Sequence, residues 1–280
     1  MLILNAALLS RAGFLYTSLI TSISSAAIVL RGDMEGNGAS KKNLETSSQC
    51  LRENIRSAIS QDPTLAGPIL RLAFHDATTR DGDAGGPNGS IRFEIDDRWA
   101  NRGLSRPLKV VSAALQDSTL SLADAVALAG AEAVETAGGP KIKVKLGRMD
   151  AKQPDPEKMR IPTRLKTDRS LVETTLPSPG LDSDGLRLYF GKLGLSEKEL
   201  VALSGAHDLG RHVTLTDMPK DCLRNLTRTC LESAPVLAPF VTEDPDSFSN
   251  FYFSKLLLWY HRNIAPGDVA FIPTDVALVV

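Results

Sequence analysis

Cysteine, histidine and tryptophan are scarce in this chain: three, four and two among 280 residues. Three cysteines cannot build a disulfide framework, which excludes a densely cross-linked secreted scaffold. Charge of one sign is also lacking, the net being −1. A chain without a net field has little to hold phosphates with, so no nucleic acid is expected as a partner. A hydrophobic share of 42% with 23% charged residues excludes a disordered chain. The length suits one large domain or two closely packed lobes. Four histidines are few enough to weigh one at a time.

Acidic residues are absent from residues 1–30, where Arg11 is the one charge. Residues 12–30 form an uncharged stretch close to membrane-spanning length, diluted by seven hydroxyl side chains. Three readings compete: an organelle transit peptide, a secretory signal, and a single membrane anchor. The transit peptide ranks first, because the cysteine usage is that of an intracellular protein. Chloroplast is the favoured destination, with a mitochondrial or membrane-anchored protein as alternatives. Residues 31–48 are rich in Gly, Ser, Asn and charge and read as a flexible linker. Residues 49–280 form the body.

Strand signals are few, and the best is residues 141–146. Helix signals dominate. Leu51, Ile55 and Ile59 recur every four residues. A second helix spans 63–77, and the Gly- and Asp-rich segment 79–90 is a loop. Residues 121–136 carry an apolar stripe and end at Gly138, Gly139 and Pro140. Ser183 reads as the cap of a further helix. Ser196 and Glu199 form a capping box, opening a helix to about Gly210. A helix with an aromatic face spans 248–264. The fold class is mostly α.

Three segments carry candidate chemistry. In LRLAFHD, Arg71 and His75 are four apart and share a helix face, with Phe74 beside them. On spacing alone the first reading is a solvated arginine and a capping or core histidine. His207 lies in the apolar, small-residue stretch LVALSGAHDLG, where a lone histidine is commonly a satisfied core residue. Asp275 lies in the near-apolar FIPTDVAL, where a carboxylate needs a partner. His212 and His261 read as surface or packing residues. Cys222 and Cys230 flank NLTRT and default to free thiols.

Taken in order, LRLAFHD, GGPNG, the SLADAVALAG helix with GGP after it, LGRMD, GLSEKELVALSGAHDLG and IPTDVAL resemble the class I haem peroxidases. Within these the chain looks like the ascorbate-peroxidase-like proteins of plants and algae. The resemblance implies a two-lobed helical fold, with a distal lobe over about 49–150 and a proximal lobe over about 151–280. Haem b sits between the lobes in such proteins. It implies His207 as the ligand of the haem iron and Asp275 as acceptor from its second ring nitrogen. His75 would be the distal base, Arg71 the group that stabilises charge on the leaving oxygen, and Phe74 the wall of the distal pocket. Asn101 would hold neutral His75 through its second nitrogen, with Glu94 or a neighbour supporting that network. The implied substrates are hydrogen peroxide and a small reductant, ascorbate or a phenolic, in a response to oxidative stress.

The sequence departs from that family in four places. Pro63 and Thr216 stand where the ascorbate-binding members carry a lysine and an arginine. Phe240, after a one-residue insertion, or else Val241 stands at the proximal aromatic position, in place of a tryptophan. The cation loop, for one K⁺ or Ca²⁺, reduces to Asp208, Thr242, Asp244 and Ser249, with acid and hydroxyl exchanged at Asp208 and Ser249. Lastly, residues 211–239 align with nothing in the family and the chain ends soon after Asp275. A shortened lobe of that kind exposes apolar surface, which a protein partner or a membrane would cover. These departures leave one alternative to an active enzyme: a catalytically inactive peroxidase-fold protein of an organelle.

Overall fold

The computed structural model describes residues 38–80, 84–116, 118–156, 176–177, 181–213, 237–239, 244–262 and 271–279. Those residues are mostly helical. Helix α1 (Gly38–Gln61) buries Leu51, Ile55 and Ile59 along one stripe. It starts before the segment read as linker ends, so residues 38–48 are helical, and Leu44 packs onto the core. A single 3-10 turn (Pro63–Leu65) leads into α2 (Ala66–Ala77). Helix α3 (Ser105–Ala114) and the central helix α4 (Leu122–Thr136) complete a first cluster.

Helix α4 is apolar nearly all round, and nearly every residue from Leu122 to Val134 is buried. Its alanines and Gly130 let α2 approach closely. A Cβ on Gly130 would lie 2.6 Å from the Cβ of Ala73. Ser121 caps the helix, its hydroxyl accepting from the Asp124 amide at 3.1 Å.

Helices α5 (Ser183–Lys192), α6 (Glu197–Ser204) and α7 (Phe251–Arg262) form a second cluster, closed by residues 271–279. Within the last segment lies the short α8 (Pro273–Val276). Of the apolar surface expected in this lobe, Phe251 and Leu258 of α7 are exposed, while the residues that follow Asp275 are covered. Ala277, Leu278 and Val279 are buried in this cluster. The cap of α5 is Asp182, one residue before Ser183, with its carboxylate accepting from the Gly185 amide at 2.8 Å. The Ser196–Glu199 capping box is present at the start of α6. This helix stops at Ser204 and tightens into a 3-10 turn (Gly205–Asp208), so His207 stands on a turn and not on a helix reaching Gly210.

The expected strand at 141–146 forms no ladder. Its amides, and those after it, go to side chains and loops instead. Ile142 N donates to Glu135 (2.7 Å), Gly147 N to Asp124 (2.7 Å), Ala151 N to the Asn88 carbonyl (2.8 Å) and Asp155 N to Glu94 (2.9 Å). Among the described residues no neighbouring strand arrives, and carboxylates and one loop carbonyl accept these amides. The ladder found among the described residues pairs β1 (Arg211–Val213) antiparallel with β2 (Leu237–Pro239), Arg211 opposite Pro239.

The two clusters meet backbone to backbone. A Cβ on Gly67, in the first turn of α2, would lie 2.7 Å from the Cα of Gly210, three residues past His207. Gly210 holds φ +86°, a left-handed conformation that favours glycine. Phe74 packs against the second cluster and Phe248 against the first. The Phe248 amide donates to the Ala137 carbonyl at 2.7 Å.

Candidate active site

Helix α2 brings Arg71, Phe74 and His75 to one end of the first cluster. His75 is buried, and its Nδ1 lies 2.8 Å from Asn101 Oδ1. Asn101 stands at the end of a 3-10 turn (Trp99–Asn101), and its Nδ2 donates to the Glu94 carbonyl at 3.3 Å. That bond orients the amide so that Oδ1 can only accept. Nδ1 of His75 therefore carries the proton and its lone pair sits on Nε2. Burial, and then the nearby Arg71 cation, push His75 down to about 3. It is a neutral base through the physiological range.

Arg71 spends its fork on the same turn. Nη1 donates to the Arg102 carbonyl at 2.9 Å and Nη2 to the Ala100 carbonyl at 2.7 Å. One face of the side chain is exposed, while the protein crowding the other lowers it to about 10. It remains a cation at neutral pH. The support expected from Glu94 comes through its main-chain carbonyl. Its carboxylate instead binds Arg98 (2.8 Å) and the Asp155 amide. Phe74 meets His75 edge-on at 6.2 Å between centroids.

On the other side, His207 Nδ1 lies 2.6 Å from Asp275 Oδ1. With Nδ1 donating to the carboxylate oxygen, a ligand would be held through Nε2. Asp275 is 1% exposed and takes two further donors, Tyr252 Oη at 2.7 Å and the Ile272 amide at 2.8 Å. These answer the need for partners that an apolar setting imposes on a carboxylate.

The described cation-loop candidates, Asp208, Asp244 and Ser249, accept backbone amides. Asp208 receives the Ser249 and Tyr252 amides and so caps α7. Ser249 Oγ accepts from the Phe251 amide at 3.0 Å, and Asp244 from the Asp246 amide at 3.2 Å. Among the described residues no group of three His, Cys, Asp or Glu side chains is arranged to hold a metal ion. Thr242, Phe240, Thr216, Cys222, Cys230 and the leader lie outside the described residues, as do the side chains of His212 and His261. Cys50 is an exposed free thiol. No described helix is long and apolar enough to cross a membrane.

The motif reading passed over two residues. Asp76, beside His75, is fully buried and accepts from the Gly89 (3.0 Å) and Ile91 (3.2 Å) amides. Burial pushes it up to about 7, against the pull of those bonds. Its signal was the His-Asp pair just before a Gly-rich loop. Tyr252 carried no signal beyond the aromatic run that opens α7.

The peroxidase family model matches residues 51–279. The chain belongs to this family. L-ascorbate peroxidase 5, peroxisomal, of Arabidopsis thaliana is 34% identical over 233 residues, 81% of this chain and 68% of its own. L-ascorbate peroxidase T, chloroplastic, of the same plant is 44% identical over 156 residues, 51% of this chain and 33% of its own. Peroxidase 47 of Arabidopsis thaliana is 31% identical over 227 residues, 74% of this chain and 65% of its own. The chain spans less than half the length of several of the curated relatives it matches. Plant ascorbate peroxidases are the group to which the motifs point.

Peroxidase family membership implies haem. The donor chemistry fits it: two imidazoles each have Nδ1 committed to an oxygen, so that each would meet the group through Nε2. The His207 side chain, 33% exposed, stands on the turn that abuts the first turn of α2 through Gly67 and Gly210.

Proposed function

We propose that this peroxidase-family chain is a haem b peroxidase reducing hydrogen peroxide with electrons from a small donor. The observation that carries the reading is the pair of anchored imidazoles, His75 on Asn101 and His207 on Asp275. Haem, when bound, supplies the electrons that cleave the peroxide O–O bond. His207 would hold the iron through Nε2, made more basic by the Asp275 carboxylate. His75 takes a proton from the inner oxygen of peroxide at Nε2 and returns it to the outer, departing oxygen, which leaves as water. Arg71 stabilises the negative charge on that oxygen. Asn101 keeps His75 in the one tautomer that permits this exchange.

Relatives named as ascorbate peroxidases support ascorbate as donor. Pro63 and Thr216, in place of basic residues, favour a phenolic. Relatives named chloroplastic support a plastid location, and one named peroxisomal offers the alternative.

The test is to load the full chain with haem, measure stoichiometry by its Soret band, and follow the spectral change on adding peroxide. His75→Leu should retain haem and slow the peroxide reaction by about 10²–10⁴-fold. His207→Ala should lose haem on gel filtration. A chain that takes no haem, or takes it and ignores peroxide, sinks the proposal and leaves the inactive peroxidase-fold protein. Turnover with ascorbate against a phenol identifies the donor.

A further inference from the structure

Asp275 carries one donor more than the ligand set requires. Its Oδ1 receives both His207 Nδ1 (2.6 Å) and Tyr252 Oη (2.7 Å), while Oδ2 receives the Ile272 amide (2.8 Å). Tyr252 is fully buried. Its ring stands edge-on to that of His207, centroids 6.0 Å apart and planes at 88°. The first turn of α7, which carries Tyr252, is pinned by Asp208, the chain neighbour of His207, through the Tyr252 amide at 3.0 Å. A closed ring results: His207 to Asp275, Asp275 to the Tyr252 hydroxyl, the Tyr252 amide to Asp208, and Asp208 back to His207 along the chain. Two further rings, Phe253 and Phe271, meet Tyr252 edge-on at 5.0 and 5.9 Å and hold it in place.

We propose that Tyr252 is a positioning residue that sets how strongly Asp275 draws the proton of His207, and hence how electron-rich the iron ligand becomes. The inference rests on reading His207 as that ligand. An oxygen that accepts two hydrogen bonds divides its negative charge between them, so each donor feels a weaker pull. The phenol thus competes with the imidazole for Oδ1. Removing the hydroxyl leaves Asp275 held at both oxygens, by His207 and Ile272, and leaves no orphaned donor. Tyr252→Phe therefore changes the charge on Oδ1 without moving the carboxylate. A space-filling role for Tyr252 predicts no such change.

The experiment compares the haem-loaded full chain with Tyr252→Phe, using the ferrous iron–histidine stretch and the midpoint potential. The variant should keep its haem, with the stretch at higher frequency and the potential lower. Asp275→Asn, which abolishes the carboxylate charge, should move both the other way. A Tyr252→Phe protein with haem retained and both readings unchanged overturns the proposal. Where neither protein takes haem, the haem reading fails on its own. Tyr252 is then judged in the haem-free chain by the ¹⁵N-edited signal of the His207 Nδ1 proton. That signal should move downfield in Tyr252→Phe, and no movement overturns the proposal. If Tyr252→Phe does not fold, fluorotyrosine placed at position 252 keeps the ring and strengthens the donor. Its shifts should be opposite in sign to those expected for Tyr252→Phe, and their absence counts against the proposal.

Discussion

Asp76 and His75 are chain neighbours that titrate in opposite senses. Burial and the Arg71 cation lower His75 from 6.5 to about 3. Between those values the unfolded chain binds the proton and the folded one does not, so stability falls as pH drops. Asp76 is raised by burial from 3.8 to about 7. There the folded chain holds the proton and the unfolded one does not, so stability falls as pH rises. From about pH 4 to 6.5 the two contributions oppose each other. Asp76→Asn removes one of them. Its stability should climb with pH more steeply than the wild type across that window, by up to about 1.4 kcal/mol per pH unit. Urea melts at several pH values measure this, and parallel curves for the two proteins refute it. The four-residue spacing of Arg71 and His75 placed them on one helix face, which is a local fact, but their roles came only with the resemblance to a family. The exchange of acid and hydroxyl between Asp208 and Ser249 was legible too, but its meaning was not. The charge moved across a contact, and Asp208 now caps α7 by accepting the Ser249 and Tyr252 amides.

Helices α2 and α4 show how an element is selected by what it lacks. Gly130 and the alanines of α4 remove side chains where α2 must pass, and Ala73 does the same from the other side. A methyl group at position 130 would meet the Ala73 Cβ at 2.6 Å, well inside contact distance, and neither atom can swing away. Gly130→Ala gains helix propensity of roughly 1 kcal/mol, yet should still lower stability by about 1–3 kcal/mol through overpacking. Chemical denaturation reads this directly, and a variant as stable as wild type rejects the close contact. Residues 141–146 teach the converse. Their apolar alternation is the signal of a strand, but a strand needs a neighbour. None arrives among the described residues; Glu135 accepts the Ile142 amide, and Asp124 the Gly147 amide just past the segment.

At the scale of the whole molecule, the decisive contact is Gly67 against Gly210. It ties the start of the helix carrying His75 to the end of the turn carrying His207, with no side chain between. Gly67→Ala should wedge the clusters apart, since its Cβ would lie 2.7 Å from backbone that has no rotamer to yield. The expected result is faster loss of haem to a scavenging apoprotein, with helix content by circular dichroism unchanged. Haem release at the wild-type rate would show that the lobes are spaced by something else. Phe74 and Phe248 reach across the same junction in opposite directions, so a wedge there disturbs both clusters at once.

The sequence alone determined the helical class and the capping box of Ser196 and Glu199. Each depends on neighbours within about four residues, so the information is local. The two candidate histidines stood out only through the order of motifs along the chain. Tertiary structure decided where the charges go. The partner of His75 lies 26 residues away and that of His207 lies 68 away. Asn101 and Asp275 could be matched to those partners by resemblance to a family. Tyr252 on Asp275, Asp208 on α7 and the Gly67–Gly210 contact had no such guide. A buried carboxylate takes whichever donors the packing of distant elements delivers, and that delivery exists only once the chain has folded.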